Sequence, residues 1–287
     1  MIVAGMRLEM KVAGVVVLYH PDENVLENIK TYIDDIDLLF AVDNSDKKNI
    51  KIVESLKKDC RIQYVDNHGN KGIAAALNAA AVRALKGGYD YLLTMDQDSR
   101  AADDMLEKLF HYIEQHAAEK LGIVSAYHRK VTEKNCYYLK PYEPMMVVMT
   151  SGNLLNLMAY RKTGKFLEKL FIDHVDNEYC LRLHRNGYKI IRVNDATLYH
   201  NLGRNVRIAG MDKTLHNEVR LYYILRNSLC LWKKYQKEFP EYVAVSRNEV
   251  FTMIRGNLLY GKHKLARIKN LLRAVYDYKR GHFGKIN

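Results

Sequence analysis

The strongest constraint on the fold is a repeated alternation of short apolar runs with helix-period segments, each run ending in acidic or turn-forming residues. Residues 12–19 (VAGVVVLY) are almost wholly β-branched and apolar and stop at His20-Pro21, the pattern of a strand buried on both faces of a parallel sheet. Residues 23–36 then place Val25, Leu26, Ile29 and Ile33 on one helical face. Residues 38–42 read as the next strand and end in Asp43-Asn44-Ser45, 50–58 read as helix and 61–65 as strand. A turn-rich loop, Asp66 to Gly72, opens an Ala-rich helix over 73–85 that stops at Gly87-Gly88. The fourth strand, 91–95, runs into Asp96-Gln97-Asp98, and an amphipathic helix over 102–116 and a strand over 121–126 follow. Such a chain is α/β: an open, mostly parallel, Rossmann-like sheet flanked by helices, with its ligand crevice beyond the carboxyl ends of the strands.

Past Arg129 the rhythm changes. Residues 137–142 and 145–150 read as strands separated by Pro141 and Pro144, and Ser151-Gly152-Asn153 as a turn. A helix from about Asp176 to Asn186-Gly187, a strand over 189–193 and a short strand ending at His200 follow. From Met211 onward the pattern is helical and basic. Residues 1–205 are thus expected to form one domain, with a donor half at about 10–126 and an acceptor half at 127–205, and 206–287 a basic helical C-terminal region.

With 287 residues, 48% of them hydrophobic, the chain can bury a sizeable core. No apolar run is long enough to cross a bilayer and residues 12–19 lack a cleavage site, so a cytoplasmic location is expected. Cys60, Cys136, Cys180 and Cys230 are widely separated and read as reduced thiols rather than a zinc site or disulfide framework. The net charge of +12 calls for an anionic partner. No helix-turn-helix, RRM or KH signature accompanies it, which argues against nucleic acid.

Two acidic clusters carry the chemistry. Asp96 and Asp98, one residue apart at a strand end, repel each other unless a cation lies between them, and a divalent metal holding a phosphorylated ligand is the usual reason. Alone the pair is a weak motif, equally a polar loop. A haloacid dehalogenase phosphatase also has such a pair, but on its first strand, whereas this one is on the fourth. The loop 66–72 favours anions at a helix start or is only a tight turn, and it matches neither the Walker loop nor G-x-G-x-x-G. In the second cluster Asp176 is placed to cap its helix. Capping does not explain Asp173, Asp176 and Glu178 together with His174, which read as a site needing a base. His200, at a strand rim, is a metal ligand or a surface imidazole. The basic tail is an interfacial surface for anionic membranes or a packed helical subdomain with a solvated face.

In order along the chain, VVVLYHP, VDNS, NHGNKGIAAALNAA, YLLTMDQDS, TSGNLL, FIDHVDNEYCLRLHRNGYKI and YHNLG resemble a family 2 glycosyltransferase of the GT-A fold, closest to the bacterial rhamnosyltransferase group. The resemblance spans about 12–200 and continues to Tyr222-Tyr223-x-x-Arg226-Asn227. It implies an inverting, metal-dependent transfer of a sugar from a dTDP- or UDP-linked donor, rhamnose from dTDP-rhamnose above all, to a lipid-linked glycan in surface polysaccharide synthesis. It assigns the nucleotide sugar to Tyr19, Asp43, Asn67, Gly69, Asn70, Ile73, Asp96 and Gln97. Mg or Mn falls to Asp96, Asp98 and His200, and the acceptor side to Gly152, Asn153 and Glu178. Asp176 falls at the catalytic base, with Asp173 and Glu178 as alternatives because Val175-Asp176 stands where many relatives have Glu-Asp. The Q-x-x-R-W signature and membrane spans of processive synthases are missing, so limited sugar addition is expected. The implied location is the inner face of the plasma membrane, with oligomeric state left open; other donors, or sugar-nucleotide binding without catalysis, are the alternatives.

Overall fold

The apolar runs at 12–18, 38–43 and 91–96 pair as parallel strands because they are buried on both faces, and the half-exposed run at 62–66 closes the edge. The computed structural model of the chain describes residues 10–129, 140–200, 205–208 and 211–286. Its first half comprises β1 (Val12–Leu18), α1 (Asn24–Lys30), a 3₁₀ turn at Ile33–Asp35, β2 (Leu38–Asp43), α2 (Ile50–Lys57), β3 (Ile62–Asp66), α3 (Ile73–Lys86), β4 (Tyr91–Asp96), β5 (Ser99–Ala101), α4 (Met105–Gln115) and β6 (Leu121–Arg129). The second half comprises β7 (Tyr142–Pro144), β8 (Asn153–Asn156), α5 (Leu157–Thr163), a 3₁₀ turn at Glu168–Leu170, α6 (Val175–Arg185), β9 (Lys189–His200), β10 (Asn205–Ile208), β11 (Met211–Thr214), α7 (Glu218–Tyr235), α8 (Pro240–Tyr260) and α9 (Lys264–Arg280).

Among the described residues, nine strands form one sheet in the order β3-β2-β1-β4-β8-β6-β9-β5, with β7 also on β9. β3, β2, β1 and β4 are parallel, as the repeated βα units require, and β6 and β9 are parallel to each other. β8 enters antiparallel between β4 and β6. Asp96 ends β4 and Ser99 opens β5, yet β5 lies four places further along the strand order. Four strand spacings span about 19 Å in a flat sheet, and three residue steps reach about 11 Å. The sheet therefore curls, and the curl sets Ser99 opposite His200 in the β5–β9 register.

Alternate strand residues feed two cores. Val12, Val16 and Leu18 pack with α1, α2 and α4. Ala13 and Val15 pack with α3, α5 and α6, and the same cluster continues without a break into α7, α8 and α9 through Tyr222, Trp232, Val250 and Ala274. Among the described residues no helix is long and apolar enough to cross a membrane.

The second half departs from the strand pattern read in the sequence. Residues 145–150 are irregular, not a strand, and the His184 ring meets the carbonyls of Met145 and Met146 at 3.1 Å in place of a ladder partner. β8 and α5 follow the Ser151-Gly152 turn directly; four residues flanked by asparagines are too short to show a strand period. Leu198 to His200 belong to one long strand, β9, whose pairing with β6 is irregular between Val193 and Thr197. Residues 211–214 pair with 205–208 as a ribbon, so helix begins only at Glu218, where Asn217 accepts the Arg220 amide at 2.7 Å. Of the strand expected at 137–142, residues 137–139 lie outside the described residues, as does Cys136.

One close approach joins the halves. Gly72, at φ +85°, precedes α3, and a β-carbon there would stand 2.4 Å from the Phe171 carbonyl oxygen. Gly72→Ala is therefore expected to cost about 2–4 kcal/mol, read as a lowered urea midpoint at unchanged slope.

Candidate active site

The carboxyl ends of β1, β2, β3 and β4 deliver the first-half candidates to one rim. Asp43 ends β2 in register with Leu18 of β1 and Asp66 of β3. It is fully buried: its Oδ1 accepts the Ser45 amide and its Oδ2 the Tyr64 hydroxyl, both at 2.8 Å. The Tyr64 phenol is pushed up by burial and by that bond. Lys48 stands between the two carboxylates, 2.8 Å from Asp66 and 3.7 Å from Asp43. Asp43 thus orders the rim, and the groups presented beside it are Asn44 and the loop 67–72.

That loop is held from within. Asn67 donates to the Asn44 side-chain oxygen at 2.6 Å, Asn44 donates to the Gly72 carbonyl at 3.0 Å, and Asn70 accepts the Gly72 amide at 3.0 Å. Gly69 sits at φ +97°, a conformation costly for other residues. Ile73 donates its amide to the Phe171 carbonyl at 2.9 Å. Across the rim, the Gln97 side-chain amide brackets Tyr19, accepting its N–H at 2.8 Å and donating to its carbonyl at 3.2 Å. Gln97 thus holds the β1 end in place and leaves the half-exposed Tyr19 ring at the surface.

Asp96 and Asp98 flank this link. Ser151, buried before β8, accepts the Asp96 amide at 3.0 Å and donates to Ser99 Oγ at 2.9 Å, pinning both ends of the acidic turn. The backbone of His200 faces Ser99; its side chain lies outside the described residues. Among the described residues no three His, Cys, Asp or Glu side chains converge as a metal-holding group. Asp96 and Asp98 supply carboxylate oxygens, the hard donors that Mg or Mn takes.

The second cluster sits on the turn before α6. Asp173 and His174 are both left-handed, at φ +61°. Arg220 holds Asp173 Oδ1 through two nitrogens at 3.1 Å, whereas Oδ2 is buried without a partner. Burial raises the Asp173 carboxyl and lowers the His174 imidazole to about 4. Asp176 does not cap α6. His174 occupies the cap position and Asp176 lies one residue inside the helix, where its Oδ1 accepts the Asn177 amide at 2.8 Å. Burial pushes the Asp176 carboxyl up to about 6, partly offset by that bond, with the charges of Asp173 and Asp96 adding to the rise. A carboxylate tuned toward neutrality and close enough to feel the charge of Asp96 is suited to accept a proton.

Glu178 is not brought to this cleft. It is fully buried on the opposite face of α6, where Arg182 at 2.8 Å, Lys234 at 2.7 Å and Tyr235 at 2.9 Å engage both its oxygens. The alternation of acids along 173–178 hid this, because on a helix Asp176 and Glu178 point about 200° apart. Gly152, at φ +74°, donates its amide to the Thr94 carbonyl at 2.7 Å and accepts the Ala126 amide at 2.9 Å, so it serves the sheet. Asn153 donates to the Met149 carbonyl at 2.6 Å, and its side-chain oxygen is buried without a partner. It shares with Asp176, Thr94 and Tyr179 a cavity of about 20 Å³, room for one water. Ser151 and Arg220 are not legible as site residues in the sequence, because each acts on a segment distant in the chain, and Ser228, which meets the His174 ring at 2.8 Å, is another such residue.

A curled sheet with a nucleotide-type rim on its parallel half and acids on either side of the cleft defines a GT-A glycosyltransferase. The family model for glycosyl transferase family 2 matches residues 17–169, and the chain belongs to that family. It is 26% identical over 298 residues to the dTDP-rhamnosyl transferase RfbF of Shigella flexneri, covering 96% of this chain and 98% of that protein. Solved structures share the fold at lower identity. S. aureus TarS superposes with a TM-score of 0.62 at 15% identity over 94% of this chain, which spans 49% of TarS. TarS 1–349 in complex with UDP-GlcNAc gives 0.64 at 14% identity, covering 94% of this chain and 80% of that one. GalNAc-T7 with UDP, GalNAc and Mn2+ gives 0.60 at 13% identity, covering 95% of this chain and 58% of that one.

A carboxyl raised in the folded state binds its proton more tightly there than when unfolded. Its stabilising contribution is therefore present below the ordinary value of 3.8 and is lost as pH rises through about 6. Asp176→Asn is accordingly expected to be more stable than wild type at pH 8, by about 1–3 kcal/mol, measured by urea unfolding without added divalent metal. The difference should shrink as pH falls through 6.

Proposed function

We propose that this glycosyltransferase passes rhamnose from dTDP-rhamnose to a lipid-linked glycan, with inversion, during bacterial surface polysaccharide synthesis. The single observation that carries the reaction is the placement of Asp176, raised toward neutrality, across from Asp96 at the carboxyl end of the parallel sheet. The near full-length similarity to a dTDP-rhamnosyl transferase supports the donor.

In this scheme the loop 67–73 and the rim ordered by Asp43 hold the nucleoside, with the Tyr19 ring beside it. Asp96 and Asp98, with His200, would hold Mg or Mn, which when bound neutralises the departing diphosphate. Asp176 takes the proton of the acceptor hydroxyl as that oxygen attacks the anomeric carbon from the face opposite the leaving group. Asp173, tied to Arg220, keeps a second carboxylate nearby and supports the raised proton affinity of Asp176. The enzyme would act from the cytoplasm at the inner face of the membrane. Leu265, Ile268, Leu272 and Tyr276 form an exposed stripe at helical spacing on α9, with Lys269, Arg273, Lys279 and Arg280 along it, a surface suited to anionic lipid.

Transfer assayed over a panel of nucleotide sugars should be fastest with dTDP-rhamnose, should stop with EDTA and return with Mg or Mn. It should fall at least about 100-fold in Asp176→Asn. Turnover unaffected by EDTA would remove the metal role of Asp96 and Asp98, and full activity in Asp176→Asn would remove the base. Separately, the double variant Leu265→Ser/Leu272→Ser should lose binding to anionic vesicles in flotation while keeping its melting temperature. Equal flotation would sink the contact through α9.

A further inference from the structure

The turn that precedes α6 is held in a conformation that its own residues disfavour. Phe171, at φ +66° and ψ −65°, is the centre of a left-handed γ-turn closed by the Ile172 amide on the Leu170 carbonyl at 2.8 Å, the rare and strained form of that turn. Asp173 and His174 follow, also left-handed. Three non-glycine residues of this kind in four positions persist only if the surroundings over-determine them.

The surroundings in question are one face of α7. Asn227, fully buried, places its side-chain NH2 on the carbonyls of Leu170 at 2.9 Å, Ile172 at 2.8 Å and Asp173 at 3.0 Å, its two N–H groups shared among the three. Arg226, 1% exposed, supports it: its Nε donates to the Asn227 side-chain oxygen at 3.1 Å, fixing which way that amide faces, and its Nη2 reaches the Leu170 carbonyl at 3.2 Å. Ser228 meets the His174 ring at 2.8 Å, and Arg220, two helical turns before Asn227, holds Asp173. The same turn offers the Phe171 carbonyl to Ile73 at the end of the nucleotide-side loop.

We infer that Asn227 is a positioning residue for transfer: by holding the carbonyls of 170, 172 and 173 it fixes the entry of α6, and through it the reach of Asp176, relative to the donor loop. This rests on Asp176 as the base. A carbonyl array needs a donor, so only a residue with an N–H at this point performs the task.

The test is Asn227→Asp, which keeps the shape and the contact to Arg226 but sets a carboxylate against three carbonyls. The expected result is a fall in kcat of at least 20-fold with donor KM changed less than 3-fold. Adding Phe171→Gly to Asn227→Asp should restore the reaction in part, since glycine adopts the turn without strain and needs the clamp less; a recovery of at least 3-fold is expected. Asn194→Ala, which removes the 2.9 Å bond from Arg192 and the 3.0 Å bond to the Lys140 carbonyl beside β9, away from the turn and from α7, should leave kcat within 2-fold. A kcat within 2-fold of wild type in Asn227→Asp would overturn the inference. So would a loss no greater than that of Asn194→Ala at equal destabilisation. Failure of the base assignment is separate: it appears as full activity in Asp176→Asn, whatever Asn227→Asp does.

Discussion

The amide of Ile73 meets the carbonyl of Phe171 at 2.9 Å, and at that crossing only glycine fits at position 72. This single contact locks the end of the nucleotide-side loop against the turn that carries Asp173, His174 and, one step on, Asp176. The rest of the cleft depends on it. The loop is internally cross-braced through Asn44, Asn67 and Asn70, so fixing one end fixes it all. The turn is strained and clamped from α7, so it has one place to be.

The two sides of the cleft are built on different principles. The first-half side consists of strand ends in a parallel sheet, where register alone aligns Leu18, Asp43 and Asp66. The acid side consists of a turn and the first residues of a helix, whose position comes from side chains of another helix. Strand ends are set by ladder hydrogen bonds over their whole length, and are rigid for that reason. A turn lacks such a ladder and needs side-chain donors to satisfy its carbonyls, which is what Arg226 and Asn227 supply.

Charge is used in two ways within a few residues. Among the described residues no cation pairs with Asp176, and burial with the neighbouring acids Asp173 and Asp96 raises its proton affinity. Glu178 is buried more completely but is matched by Arg182 and Lys234, and the pair of cations holds its carboxyl below the usual range despite the burial. The first arrangement costs stability and is useful chemically. The second fastens α6 to α7, so the helical region shares the core of the α/β body.

The order of elements in the first half, the parallel sheet and the acidic turn after its fourth strand were legible in the sequence, because apolar runs of fixed period and the residues that stop them are local properties. So was the second acidic cluster as a cluster. Sequence alone could not separate Asp176 from Glu178, since their roles follow from the partners that α7 brings to one and not to the other. Nor could it show β8, whose four residues carry no period, or the curl of the sheet that sets His200 opposite Ser99. Asn227 stood in the sequence as part of a recognisable segment, without a task. Its task exists only because the chain returns, more than fifty residues after the turn, to give three carbonyls of a strained turn a donor.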